Sequence, residues 1–202
     1  MPRHRPHPVA RGFTLIEVLV TVFIIAVLAA LAIYGVTRYL ASSKSSEAKN
    51  NVGAISRAAH AAHARELAAA EALDEGTRSA AAGNLLCETA TLVPTTVPKG
   101  RKYQPKTAEG EDFSTGDKRT GWKCLKFYVD QPIYYQLAYT KDGSPIASAN
   151  PAKCVTACYE AGARGDLNGN DVYAEFARTG HINTATGRLK AASQIYVARE
   201  FE

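Results

Sequence analysis

The stretch RGFTLIEVLV, residues 11–20, places one carboxylate, Glu17, in an otherwise apolar run directly behind an Arg-Gly pair. A lone ionised carboxylate at bilayer depth costs about 2.5–3.5 kcal/mol on insertion scales, so its chemistry is charge pairing and it needs a partner. Other groupings could also do chemistry. Cys87, Cys124, Cys154 and Cys158 are even in number and lack C-x-x-C spacing, which suits two disulfides in an oxidising compartment better than a metal site. In GDLNGND, Asp166, Asn168 and Asn170 alternate at i, i+2, i+4 like the first ligands of a Ca²⁺ loop. That loop would lack its sixth-position glycine and twelfth-position glutamate, and the same residues form a metal-free turn. His60, His63 and Glu66 of HAAHARE read as a solvated helical face rather than as metal ligands. Lys99, Arg101 and Lys102 beside Tyr103 could bind DNA or polysaccharide; a solvated loop is the simpler reading, and nucleic acid is not an expected partner. With no phosphate-binding loop and no nucleophile motif, the chain is not expected to be an enzyme, and no cofactor is expected beyond the Ca²⁺ option.

These residues need elements to position them. Residues 13–34 carry no ionisable group except Glu17 and Tyr34 and would span roughly 33 Å as a helix, about one hydrocarbon core. Arg3, Arg5 and Arg11 precede them, which holds the N-terminus in the cytoplasm and sends the rest of the chain out. The net charge of +5 owes three of its charges to those arginines; without residues 1–12 the chain keeps 21 basic residues against 19 acids, too even for a polyanion partner. Two simpler readings compete. A secretory signal could be cut at the AALA of 29–32, releasing a secreted binding protein or enzyme, but the apolar run is too long for one. A plain single-span anchor would leave Glu17 merely tolerated.

A third reading accounts for more residues. RGFTLIEVLV resembles the cleavage and methylation motif of type IV pilin-like proteins, with Gly12 before the cut, Phe13 after it, and Glu17 five positions into the mature chain. The resemblance implies removal of residues 1–12 by a prepilin peptidase and N-methylation of Phe13. It also implies a partner for the charge, since cleavage creates an α-amino cation on Phe13. Glu17 of one subunit could pair with the Phe13 amine of its neighbour and direct assembly, or fold back on its own. Many type IV pilins carry a glycine and a proline inside this segment; Ala26 and Tyr34 stand there here, which predicts a straighter anchor. The implied partners are copies of this chain or other pilins in a helical polymer, the peptidase, the assembly machinery of the inner membrane, and the membrane before assembly. The implied location is the inner membrane, single-pass, then an extracellular fibre serving motility or adhesion. A pseudopilin of a type II secretion system is the alternative within the class.

The expected fold is α+β: a long N-terminal helix, its first half membrane-spanning, packed on a C-terminal antiparallel sheet. Ala48, Val52, Ile55, Ala59 and Ala62 recur at steps of four and three, so an amphipathic helix is expected to continue through 35–76, ending near Leu73 at the DEG of 74–76. Residues 77–121, rich in Pro, Lys and Gly, read as a surface connection, and 122–202 as the sheet domain. There CLKFYV and IYYQLAYT alternate as a hairpin across DQP, with further strands over 155–161, 172–178 and 194–199. In one extended strand Cys154 and Cys158 would lie about 13 Å apart, so pairing them requires a turn. The expectation is Cys87 with Cys124 and Cys154 with Cys158, the alternatives crossing the two early cysteines with the two late ones.

Overall fold

The structure is a computed structural model, and it describes residues 12–65, 84–147 and 149–202. It divides into two compact units, Met1–Leu40 and Ala41–Glu202. One helix, α1 (Leu15–His63), contributes to both and runs unbroken through Ala26, Tyr34 and Gly35. Continuous helix at these positions is what alanine and tyrosine in place of glycine and proline allow. The helix ends at His63, with Ala64 in a turn and Arg65 in a bend; the expected continuation to Leu73 falls outside the described residues, as do Glu66 and most of the leader.

Within Ala41–Glu202 the described residues form an antiparallel, five-stranded sheet. Its strands are β1 (Gln136–Lys141), β2 (Cys158–Gly165), β3 (Ala174–Ile182), β4 (Leu189–Ala191) and β5 (Tyr196–Ala198). The order is β1-β2-β3-β4, and β5 shares the outer edge of β3 with β4: Ile182 faces Leu189, while Phe176 faces Val197. The expected stripe of small residues is the buried face of α1, with Ala48, Val52 and Ile55 at 0% exposure. Small side chains let the helix backbone approach the sheet, and Ser56 meets the Tyr159 hydroxyl of β2 at 2.7 Å. β2 reads CYEAGARG, with little apolar alternation, yet six of its first residues are buried in sequence. Its Gly162 is required by packing, since a Cβ there would lie 2.7 Å from Ile146 Cγ1.

The expected hairpin over CLKFYV and IYYQLAYT does not form. Residues Gly121–Leu125 make a short helix, α2, ended by Lys126 in the left-handed region at φ 56°. The alternation of Leu125, Phe127 and Val129 is outweighed by Trp122 and Leu125, a helical i, i+3 pair that is fully buried. Trp122 packs edge-on to Phe113 with ring centroids at 5.1 Å and donates its indole N–H to the Thr91 carbonyl. The Cys87–Cys124 disulfide holds the same corner. The edge partner of β1 is instead drawn from the stretch read as a surface connection: Val93 exchanges backbone hydrogen bonds with Leu137, and the Ala90 N–H reaches the Tyr139 carbonyl. Leu86, Cys87, Ala90, Val93 and Phe113 of that stretch are core residues.

Candidate functional site

The residues expected to carry processing and assembly lie at the start of α1. Gly12, Phe13 and Thr14 precede the helix in irregular backbone, and Phe13 is 85% exposed. Every residue over 12–40 is exposed. An apolar surface of that extent is far beyond what a monomer in water tolerates, so it calls for lipid or for other protein. α1 is also long and apolar enough to cross a membrane. Two threonine hydroxyls of its exposed part are satisfied from within the helix: Thr21 donates to the Val18 carbonyl and Thr37 to the Tyr34 carbonyl, each at 2.9 Å. A polar side chain that caps its own backbone does not expose an unpaired donor to hydrocarbon.

Glu17 sits in the first turn. Its carboxylate accepts the Thr14 backbone N–H at 2.9 Å and the Thr14 hydroxyl at 2.8 Å, while the Glu17 N–H donates back to Thr14 Oγ1 at 3.3 Å. This reciprocal arrangement is a capping box, with Thr14 as N-cap and Glu17 three positions on. The carboxylate also faces the positive end of the helix dipole. In this chain Phe13 has a peptide nitrogen and no amine, and Glu17 is held by Thr14. Sequence reasoning missed Thr14, although T-x-x-E ahead of an apolar run is a legible signal.

The four cysteines form the expected pairs. Cys87 joins Cys124 across 37 positions, and Cys154 joins Cys158 across four with Cα atoms 5.5 Å apart. The turn that the second pair requires is made by Ala157, in the left-handed region at φ 52°.

Asp166, Asn168 and Asn170 come together in one turn after β2. Asp166 is fully buried; its Oδ1 accepts the N–H groups of Gly169 (2.6 Å) and Asn170 (3.1 Å), and its Oδ2 that of Asp171 (3.0 Å). Both asparagine amides donate to Glu202 Oε2. The oxygens that a cation would use thus face donors of the turn itself. Among the basic residues, Lys99 pairs with Asp171, and Lys102 lies over the Tyr134 ring. His60 and His63 do not form the expected solvated face. His63 is buried, because the turn between β3 and β4 covers the end of α1 and its Gly187 carbonyl accepts the His63 Nε2–H.

Comparison with known proteins bears on the first of these sites. Residues 8–33 match the family model described as the prokaryotic N-terminal methylation motif. Over 51 residues the chain is 51% identical to the type IV major pilin protein PilA of Myxococcus xanthus (strain DK1622), a match that spans 25% of this chain and 23% of that protein. No solved structure matches the chain.

Proposed function

From an N-terminal portion that is type IV pilin-like, we propose that the chain is a structural subunit of a type IV pilus. It enters the inner membrane with its N-terminus in the cytoplasm, is cut after Gly12 by a prepilin peptidase, and is methylated on Phe13. It then leaves the bilayer and joins copies of itself or other pilins in a surface fibre used for motility or adhesion. The observation that carries this reading is the methylation motif joined to a helix whose apolar residues are exposed over 12–40. Lipid covers that surface before assembly, and neighbouring helices cover it afterwards.

Glu17 supplies the register. Once Phe13 carries a free amine, an ion pair between it and Glu17 of an adjoining subunit removes two poorly hydrated charges together, which neither charge achieves alone. Purified surface fibres should contain this chain beginning at N-methylated Phe13, as read by terminal sequencing and mass spectrometry. Glu17→Ala is expected to be processed and to accumulate in the membrane without entering fibres. Fibres at the normal level from that variant, or a mature chain beginning at Ile33, would overturn the proposal.

A further inference from the structure

The residues just beyond the apolar run carry charge that fibre assembly does not use. Between Glu17 and Arg38 lie 20 positions without an acid or a base, about 30 Å of helix, which is one hydrocarbon core. Tyr34 and Tyr39, both exposed, stand at the end of that run, where interfacial aromatic residues sit. Lys44 follows Arg38 by six positions on the same helix, about 9 Å along its axis. The Cα–Cβ bonds of a helix tilt toward its N-terminus, so a long side chain at position 44 leans back toward the run. The headgroup layer adds about 5–8 Å on each side of a hydrocarbon core, and Lys44 is level with it.

Two backbone contacts gather a second cation and a ring around Lys44. Glu47, three positions further along α1, accepts the Tyr134 N–H at 2.8 Å and so holds Tyr134 against the helix. Tyr103 and Ile133 exchange backbone hydrogen bonds at 2.8 and 2.9 Å as an antiparallel bridge, which sets Lys102 across from Tyr134. Both ammonium groups then meet one ring: Lys44 Nζ lies 4.7 Å and Lys102 Nζ 5.0 Å from the Tyr134 centroid. Like charges drawn to a single ring repel each other, and the negative face of the ring compensates only in part. Glu47 acts on Lys102 as an opposite charge and offsets one of the two cations. The other is left for an anion from outside, since neither ammonium forms an ion pair among the described residues. Lys102 is exposed, and Lys44 and Tyr134 are half-buried, so solvent and ligand reach the group.

We propose that Lys44, Lys102 and Tyr134 form a headgroup site for an anionic phospholipid, a proposal that rests on the reading of the N-terminal part of α1 as a membrane anchor. A phosphodiester offers two unesterified oxygens, one for each ammonium, and its single negative charge matches the one cation left over. A zwitterionic lipid brings its own cation to the same phosphate and competes with the lysines. An anionic lipid does not. The three residues belong to Ala41–Glu202, and the contact is given up when the subunit leaves the bilayer.

The test places the full chain in nanodiscs of phosphatidylcholine, alone or with one lipid in three as phosphatidylglycerol, and follows acetylation of each lysine by a neutral ester with mass spectrometry. Lys190 is the internal reference. It lines a cavity with His60 and His63, which stand about 24 Å or more along α1 from Lys44, several Debye lengths at physiological salt. With phosphatidylglycerol, Lys44 and Lys102 are expected to react about fivefold or more slowly, the factor that one lysine's attraction to an anionic membrane surface is worth, while Lys190 keeps its rate. Lys44→Gln, a change at a partly exposed side chain, should return Lys102 toward its rate in phosphatidylcholine, because the two lysines hold one phosphate. The proposal fails if the two kinds of disc give equal rates, if Lys190 slows as much, or if Lys102 stays fully protected in Lys44→Gln. It also fails if millimolar inorganic phosphate in neutral detergent protects both lysines equally well, because the site would then take a free anion. A chain that stays out of the discs overturns the anchor reading and this proposal with it; a chain inside the discs with unprotected lysines overturns this proposal alone.

Discussion

At the residue scale, the proposed processing gives the charge at position 17 a different keeper at each stage. In the uncut chain it is Thr14, through a capping box; after cleavage the Phe13 amine becomes a competitor from the same chain or from a neighbour. Thr14→Ala removes the N-cap and one donor to Glu17 and should weaken the first turn by about 1 kcal/mol. In detergent, the backbone amides of the first turn are then expected to exchange roughly fivefold faster with solvent. Glu160 on β2 gives a pH signature of its own. It is buried, its Oε1 accepts the Ile146 N–H at 2.9 Å, and its Oε2 has no partner among the described residues. Burial raises its pKa in the folded chain, so the folded state holds the proton at a pH where the unfolded state has lost it. Stability from this group is present below the unfolded value of about 4.3 and is lost as pH rises through the folded value. The melting temperature of Glu160→Gln minus that of the wild type should therefore increase from pH 4 to pH 7.

At the element scale, β2 is buried on both faces with side chains too small to announce it, and a helical turn replaces the expected first strand of a hairpin. Both follow from contacts distant in sequence. Gly162→Ala presses a methyl against Ile146 and should cost about 1–3 kcal/mol, as overpacking does. Ile146→Ala removes the Cγ1 and Cγ2 that the new methyl meets and should cost less in the Gly162→Ala background than alone, a coupling that a double-mutant cycle by urea denaturation measures. The two disulfides differ by loop size. Replacing Cys87 and Cys124 with alanine should cost about 4 kcal/mol, and replacing Cys154 and Cys158 about 2 kcal/mol, by the loop-entropy estimate. Equal losses for the two pairs would show that folded-state packing, not chain restriction, sets their contribution. For the turn after β2, where Asp166 accepts three backbone N–H groups, added Ca²⁺ or a chelator should leave the melting temperature unchanged.

At the scale of the whole molecule, the N-terminal half of α1 and the unit Ala41–Glu202 answer to different solvents, and the sequence is legible in different degrees for each. The exposed segment was readable almost completely: its length, its single acid and its apolar run are local facts, and a stretch whose described residues are all exposed follows local rules. The cysteine pairing and the small-residue face of α1 were readable too, because closure distance and helical period are properties of the chain itself. What the tertiary structure alone decided was the use of sparse or ambiguous patterns. Trp122 and Leu125 became a helical turn because the Cys87–Cys124 bridge and Phe113 surround them. Residues 88–93 became the cover for the edge of β1. His63 became a buried side chain once the connection between β3 and β4 folded over the end of the helix. Burial and pairing of such groups depend on residues that reach from tens of positions to 124 positions away, and no period in the sequence carries that distance.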